Sequence, residues 1–243
     1  PSLTYTGAVG LDVSGLAFPD LPRTIDSIDG RIGFTESNLD IETLGFSVGK
    51  SAARISGTVS DYAVKPAVSI AAEGDIDLGD ITGAVPMPEG VEASGGLDFD
   101  VTLDGDPSDP ATFAARGVAS MNELTAVLPD LLRHPGVLNG SVSFAPDALS
   151  LDGLSFVSGV SDLRLEGQLG NYMALAGLAD GDARATGTLR SSVLDLNDML
   201  LTAREAGREP PSFKPWEFEE SLKQMPVPPS LDAALSVRID KTM

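Results

Sequence analysis

Apolar residues along this chain recur at every second position, in short runs rather than in helical stripes. Between Ile28 and Tyr62 they fall at Ile32 and Phe34, at Leu39 and Ile41, and at Leu44, Phe46 and Val48. Arg31, Asp40, Glu42 and Arg54 fill the other register. Period two over short runs marks strands with one apolar and one wet face. Glu36-Ser37-Asn38, Gly49-Lys50 and Asp61-Tyr62 separate the runs with turn chemistry. The expected element is an antiparallel meander.

The pattern is written twice. At an offset of 110 residues, Gly30 falls on Gly140, Phe34 on Phe144, Leu44 on Leu154, Phe46 on Phe156, Arg54 on Arg164 and Tyr62 on Tyr172. From Tyr5 to Tyr62 this alignment has 15 identities in 58 pairs, against about four expected from ordinary residue usage. The second copy alternates in the same way at Val142 and Phe144, Leu149 and Leu151, and Leu154 and Phe156. Its expected turns are Pro146-Asp147, Asp152-Gly153 and Ser158-Gly159. Two tandem units are expected, residues 1–110 and 111–243.

Around these hairpins the chain supplies further elements. A first strand is expected over Leu3–Val13 and a long alternating one over Gly95–Leu103. The motif DIDLGDI at Asp75–Ile81 returns as VLDLNDM at Val193–Met199, with Asp77 and Asp80 matching Asp195 and Asp198. These aspartates are expected on the wet face of a strand and in a turn. Asn122 is placed to cap a helix over Glu123–Arg133, with Leu124, Val127, Leu128, Leu131 and Leu132 on one side and Pro129 breaking it. A helix-prone insertion is expected at about residues 200–225, with Trp216 as its anchor. A last strand over Leu231–Asp240 resembles the Gly95–Leu103 strand.

Composition narrows the function more than the fold. The chain has 26 glycines, 17 prolines, no cysteine and a net charge of −20. Thiolate metal sites and disulfides are therefore excluded. With 16 Lys and Arg against 36 Asp and Glu, and no basic cluster along the sequence, nucleic-acid binding is not expected. No run of 18 apolar residues is present to span a bilayer. The chain opens on Pro1 without a visible signal peptide, which suggests a piece of a longer protein.

Catalytic chemistry is not legible. The one histidine, His134, lies beside Pro135 and Gly136 in an expected turn, and no nucleophile motif or phosphate loop occurs. Asp104 to Asp109 looks superficially like a calcium loop but lacks its closing glutamate, so a turn is expected. Asn139-Gly140-Ser141 is a formal glycosylation sequon that aligns with Asp29-Gly30, again read as turn chemistry. No enzyme, metal or cofactor is expected.

Taken together, DIDLGDI and VLDLNDM, LDFDVTLDG at Leu97–Gly105, LTAVLPDLL at Leu124–Leu132, LSLDGLSF at Leu149–Phe156 and LRLEGQL at Leu163–Leu169 resemble the AsmA-like C-terminal region. The resemblance covers essentially the whole chain and lies in order and repetition. It implies an all-β fold with minor helices, a long curved antiparallel β-meander forming a repeating groove of AsmA/TamB type. It further implies a parent protein anchored in a Gram-negative inner membrane and facing the periplasm. Its function there would be outer-membrane biogenesis by bridging phospholipids between membranes.

The alternation fits that implication. A one-sided apolar meander must cover its face with itself or with something foreign. Burying a ~16-carbon acyl chain removes about 13 kcal/mol of hydration cost at ~0.8 per methylene. The expected lining for phospholipid acyl chains is Ile32, Phe34, Leu39, Ile41, Leu44, Phe46 and Ile55 in the first unit, with Leu97, Phe99 and Val101 between the units. Val142, Phe144, Leu149, Leu151, Leu154, Phe156 and Leu165 complete it in the second. The alternative is a structural or interaction module of the cell envelope whose sheet folds over and fills its own interior.

Overall fold

The computed structural model describes residues 4–17, 24–82, 90–107, 109, 112–129, 131–172, 174, 181–201 and 231–242. Among these residues twelve strands hydrogen-bond in sequence order into a single open sheet. They are β1 (Thr6–Leu16), β2 (Ile25–Thr35), β3 (Leu39–Val48), β4 (Ser51–Ser60), β5 (Ala67–Asp77), β6 (Glu92–Gly105), β7 (Ala114–Val127), β8 (Gly136–Phe144), β9 (Ala148–Ser158), β10 (Ser161–Gly170), β11 (Ala183–Ser191) and β12 (Leu231–Ile239). Two short helices, α1 (Leu78–Thr82) and α2 (Leu196–Met199), follow β5 and β11. No pairing joins β1 to β12 among the described residues, so the sheet is not closed into a barrel. The expected antiparallel meander is what the chain forms.

Its last step departs from that pattern. β12 runs parallel to β11, with Ala183 beside Leu231 and Ser191 beside Ile239. β12 therefore begins beside the start of β11 and not beside its end. The equivalent step in the first copy, β5 to β6, is an antiparallel return in which Asp77 faces Gly96.

The two copies share one irregularity at the same place. Ile41 faces Gly57 and Leu44 faces Ile55, so Glu42 and Thr43 together oppose Ser56. Leu151 faces Gly167 and Leu154 faces Leu165, so Asp152 and Gly153 together oppose Glu166. Each is a β-bulge, which bends the strand and adds twist. The bulge returns the apolar residues to one face after a spacing of three. Asp152-Gly153 is therefore the interior of β9 rather than a turn. Asn139-Gly140 likewise lies inside β8, next to a register shift, with Asn139 Oδ1 accepting from the Glu123 amide at 2.7 Å. Gly57, at φ +138°, is required here because a Cβ would meet the Ser69 carbonyl oxygen.

The helix expected over Glu123–Arg133 does not form. β7 continues to Val127, pairing with Glu92–Ser94 on one side and with Gly136–Leu138 on the other. Only a single turn follows, in which the Leu131 and Leu132 amides donate to Leu128 O at 2.9 and 2.8 Å. Two ladders of hydrogen bonds outweigh a local helical spacing. Asn122 donates to Asp98 across the sheet instead of capping. The helix-prone insertion lies outside the described residues apart from Leu200 and Leu201. Leu200 ends α2 in an extended conformation.

The repeated DL-x-D motif closes one end of the sheet in both copies. Ser51 and Ser161 are each 1% exposed. Ser51 Oγ donates to Asp77 O at 3.2 Å and accepts from the Asp77 amide at 2.9 Å. Ser161 does the same with Asp195, at 3.1 and 2.9 Å. Asp80 then takes the Lys50 and Ser51 amides at 2.6 and 3.2 Å, and Asp198 takes the Val160 amide at 3.0 Å. The expectation of wet aspartates thus fails at Asp80, which is 5% exposed. It is buried because its oxygens satisfy the amides of the β3–β4 turn.

Candidate functional site

Cross-strand register decides which side chains share a face, because a residue and its partner project to the same side. One row runs Leu11, Gly30, Leu44, Ile55, Ala72, Val101, Gly117, Phe144, Leu149, Leu169, Ala185 and Ala233 across all twelve strands. A second runs Val13, Ile28, Phe46, Ala53, Gly74, Phe99, Ala119, Val142, Leu151, Gly167, Gly187 and Leu235. Neither contains a polar side chain. Eleven strand spacings of about 4.8 Å make each row roughly 53 Å long.

All the residues expected to line a groove lie on this face. Leu44, Ile55, Val101, Phe144 and Leu149 belong to the first row, and Phe46, Phe99, Val142 and Leu151 to the second. Ile32 faces Ile41, and Phe34 faces Leu39, two and four residues further along β2. Leu97 pairs with Met121 at the other end. Leu154 pairs with Leu165, and Phe156 with Leu163. The small members of the rows, such as Gly74, Ala119 and Gly187, do not stand out from the alternation of large apolar residues. Their signal was position alone, on alternate sites between large apolar residues.

Glycines on this face also seat the aromatic rings. A Cβ on Gly7 would lie 2.6 Å from the Phe34 ring, on Gly74 2.8 Å from Phe99, and on Gly136 2.6 Å from Phe156. Each ring therefore lies over a glycine of the neighbouring strand, where it covers bare backbone. Tyr5 packs tilted against Phe34, at 6.4 Å between ring centroids. Its hydroxyl lies 3.1 Å from that of Tyr62, and this hydrogen bond raises the Tyr62 pKa above its usual value.

Little covers the face. Among the described residues the only buried apolar side chains are Val48, Ala53, Ala183 and Met199. None of these is a large core aliphatic or aromatic of the two rows. Phe34, Phe46, Phe99, Phe144 and Phe156 are all partly exposed. A sheet packed on a second layer would bury such residues almost fully.

The opposite face is polar and wet. Arg31–Glu42, Arg54–Glu73 and Arg116–Asp104 pair on it at 3.3, 3.2 and 3.2 Å, all exposed. Exposed pairs of this kind contribute at most about 1 kcal/mol each. His134 Nε2 lies 3.0 Å from Asp198 Oδ1, beside the β9–β10 turn that Asp198 reaches through the Val160 amide.

No family model, curated protein or solved structure matches this chain. Among the described residues no helix is long and apolar enough to cross a membrane, and no group of His, Cys, Asp or Glu is arranged to hold a metal ion.

Proposed function

We propose that the apolar face binds phospholipid acyl chains and that the chain acts as a segment of a lipid-conducting groove of AsmA-like type. The observation that carries this reading is the pair of unbroken twelve-strand apolar rows left uncovered by the described residues. A self-filled envelope module would bury its large apolar side chains almost fully, and these stay partly exposed. Acyl chains suit the face because they need no polar partner and no fixed register. At ~0.8 kcal/mol per methylene, even partial burial of a chain outweighs the loss of weakly held water. The acidic opposite face keeps the sheet hydrated and resists stacking.

In this reading the parent protein stands in the envelope of a Gram-negative bacterium, facing the periplasm from an inner-membrane anchor. It carries phospholipid between membranes with headgroups in water at the groove mouth, and no residue acts chemically. Native mass spectrometry of protein purified from bacteria tests it. Bound phospholipid is expected, and Phe46→Asp and Phe156→Asp should lower its occupancy while leaving the far-ultraviolet circular dichroism unchanged. Reproducibly lipid-free protein would overturn the reading, as would unaltered occupancy in both variants.

A further inference from the structure

The polar face carries one arrangement in which like charges face one another across strands. Arg164 on β10 faces Arg190 on β11, and Arg190 faces Arg238 on β12. Three like charges thus stand in one cross-strand row spanning about 10 Å. Like charges directly opposite destabilise a sheet. The chain had the means to avoid this, with 36 acidic residues against 16 basic ones. Elsewhere it does so: Arg31, Lys50, Arg54, Lys65 and Arg116 each have a carboxylate within 4 Å. Arg164 and Arg190 have none at that distance among the described residues.

The repeat sharpens the contrast. Arg54 and Arg164 are the same repeat position, and Arg54 faces Glu73 where Arg164 faces Arg190. The nearby carboxylates are largely engaged. Asp162 accepts from the Ser192 and Val193 amides at 2.9 Å each, and Asp240 pairs with Arg238 at 3.0 Å. Thr188 and Ser236 line the same open recess of about 490 Å³ as the three arginines, and the engaged Asp162 and Asp240 belong to the same lining.

We propose that Arg164, Arg190 and Arg238 form a binding site for a phosphate-class oxyanion. Planar guanidinium forks present paired N–H donors that match such oxygens two at a time. An anion between the strands would convert repulsion into charge-assisted hydrogen bonds. The hydroxyls of Thr188 and Ser236 supply neutral donors beside them. The site stands on the face opposite the apolar rows and is independent of what covers those rows.

The test compares the wild-type chain with Arg190→Glu, which rebuilds the Arg–Glu pairing of the first copy. Orthophosphate and pyrophosphate are titrated at constant ionic strength, following the arginine side-chain N–H resonances and the thermal midpoint. Saturable shifts of the Arg164, Arg190 and Arg238 signals and a raised midpoint are expected in wild type. Arg190→Glu should melt higher than wild type without phosphate and respond to neither probe. Unmoved arginine signals in the wild-type protein at millimolar probe would overturn the proposal, and so would equal responses in the two proteins. Flotation with phosphatidic acid vesicles but not with phosphatidylcholine, lost in Arg190→Glu, would identify the source as a lipid headgroup. A response to soluble phosphate without flotation would identify a soluble phosphate compound. Either result supports the oxyanion site and leaves acyl-chain binding to its own test.

Discussion

Arg54 and Arg164 occupy one position in two copies of one unit, yet the first meets a glutamate and the second an arginine. The apolar faces of the two copies diverge less: Leu44, Phe46 and Ile55 correspond to Leu154, Phe156 and Leu165, while Leu163 replaces Ala53 and the buried Ser191 stands on that face of β11. Their bulges coincide at Glu42-Thr43 and Asp152-Gly153, and their serine–aspartate clasps coincide at Ser51 and Ser161. The difference follows from energetics. Exposed pairs on a wet face contribute little, so they are free to change. An apolar row interrupted on any strand would place a polar group among neighbours that cannot satisfy it. Shared features therefore mark the scaffold and its groove, and divergent ones mark local specialisation.

The comparison breaks most visibly at the bulge glycines. Gly57→Ala should cost about 3 kcal/mol in urea unfolding, because φ +138° is strained for alanine and its Cβ meets a backbone carbonyl. Gly167→Ala, whose Cβ would lie 2.6 Å from Thr186 O without a left-handed φ, should cost less. Equal costs would show that the two bulges differ from the geometry described.

Next come the clasps. Asp80→Ala strands the Lys50 and Ser51 amides in a buried site and should cost about 2 kcal/mol. Asp198→Ala, at a more exposed turn, should cost less. The Asp198 carboxyl is held below its usual pKa by the Val160 amide and then by His134. Asp162 is held low by the Val193 amide and then by Ser192. Groups with a lowered folded pKa stabilise fully above the unfolded value, near pH 4, and lose that contribution as pH falls through the folded one. Thermal melts of Asp162→Asn and Asp198→Asn should therefore show a shallower loss of stability below about pH 4 than the wild type. A parallel acid limb in both variants would remove these carboxylates from the account.

The smallest effect is expected on the wet face. Glu73→Arg recreates opposed arginines in the first copy and should destabilise by about 0.5 kcal/mol, read as a lowered urea midpoint with unchanged slope. A stabilised variant would mean that Arg54–Glu73 is not a favourable pair.

Much of the groove face was legible because strand alternation needs only the order of residues. Phe34, Phe46, Phe144 and Phe156 reach one side in both reading and structure. Two kinds of feature were not. The spacing of three between Leu151 and Leu154 reads as an interruption, and only pairing with β10 shows it to be a bulge. The spacing of Leu124, Val127, Leu128, Leu131 and Leu132 fits a helix, and only the partners on β6 and β8 make its first half a strand. Asp80 left a trace in its repetition at Asp198, but alternation placed it on the wet face, and only the amides of the β3–β4 turn show why it is buried. The arginine row left none, because Arg190 and Arg238 come together through a parallel pairing that no local pattern announces.

The central claim is that a single face of the sheet holds acyl chains. Site-specific incorporation of a benzophenone amino acid at Leu44 and Leu149 on the apolar rows, and at Thr58 and Gln168 on the wet face, tests it in bacterial cells by the mass of the photo-adducts. Phospholipid adducts at Leu44 and Leu149 with none at Thr58 and Gln168 are predicted. Adducts spread equally over both faces, or absent from the apolar rows, would contradict the account.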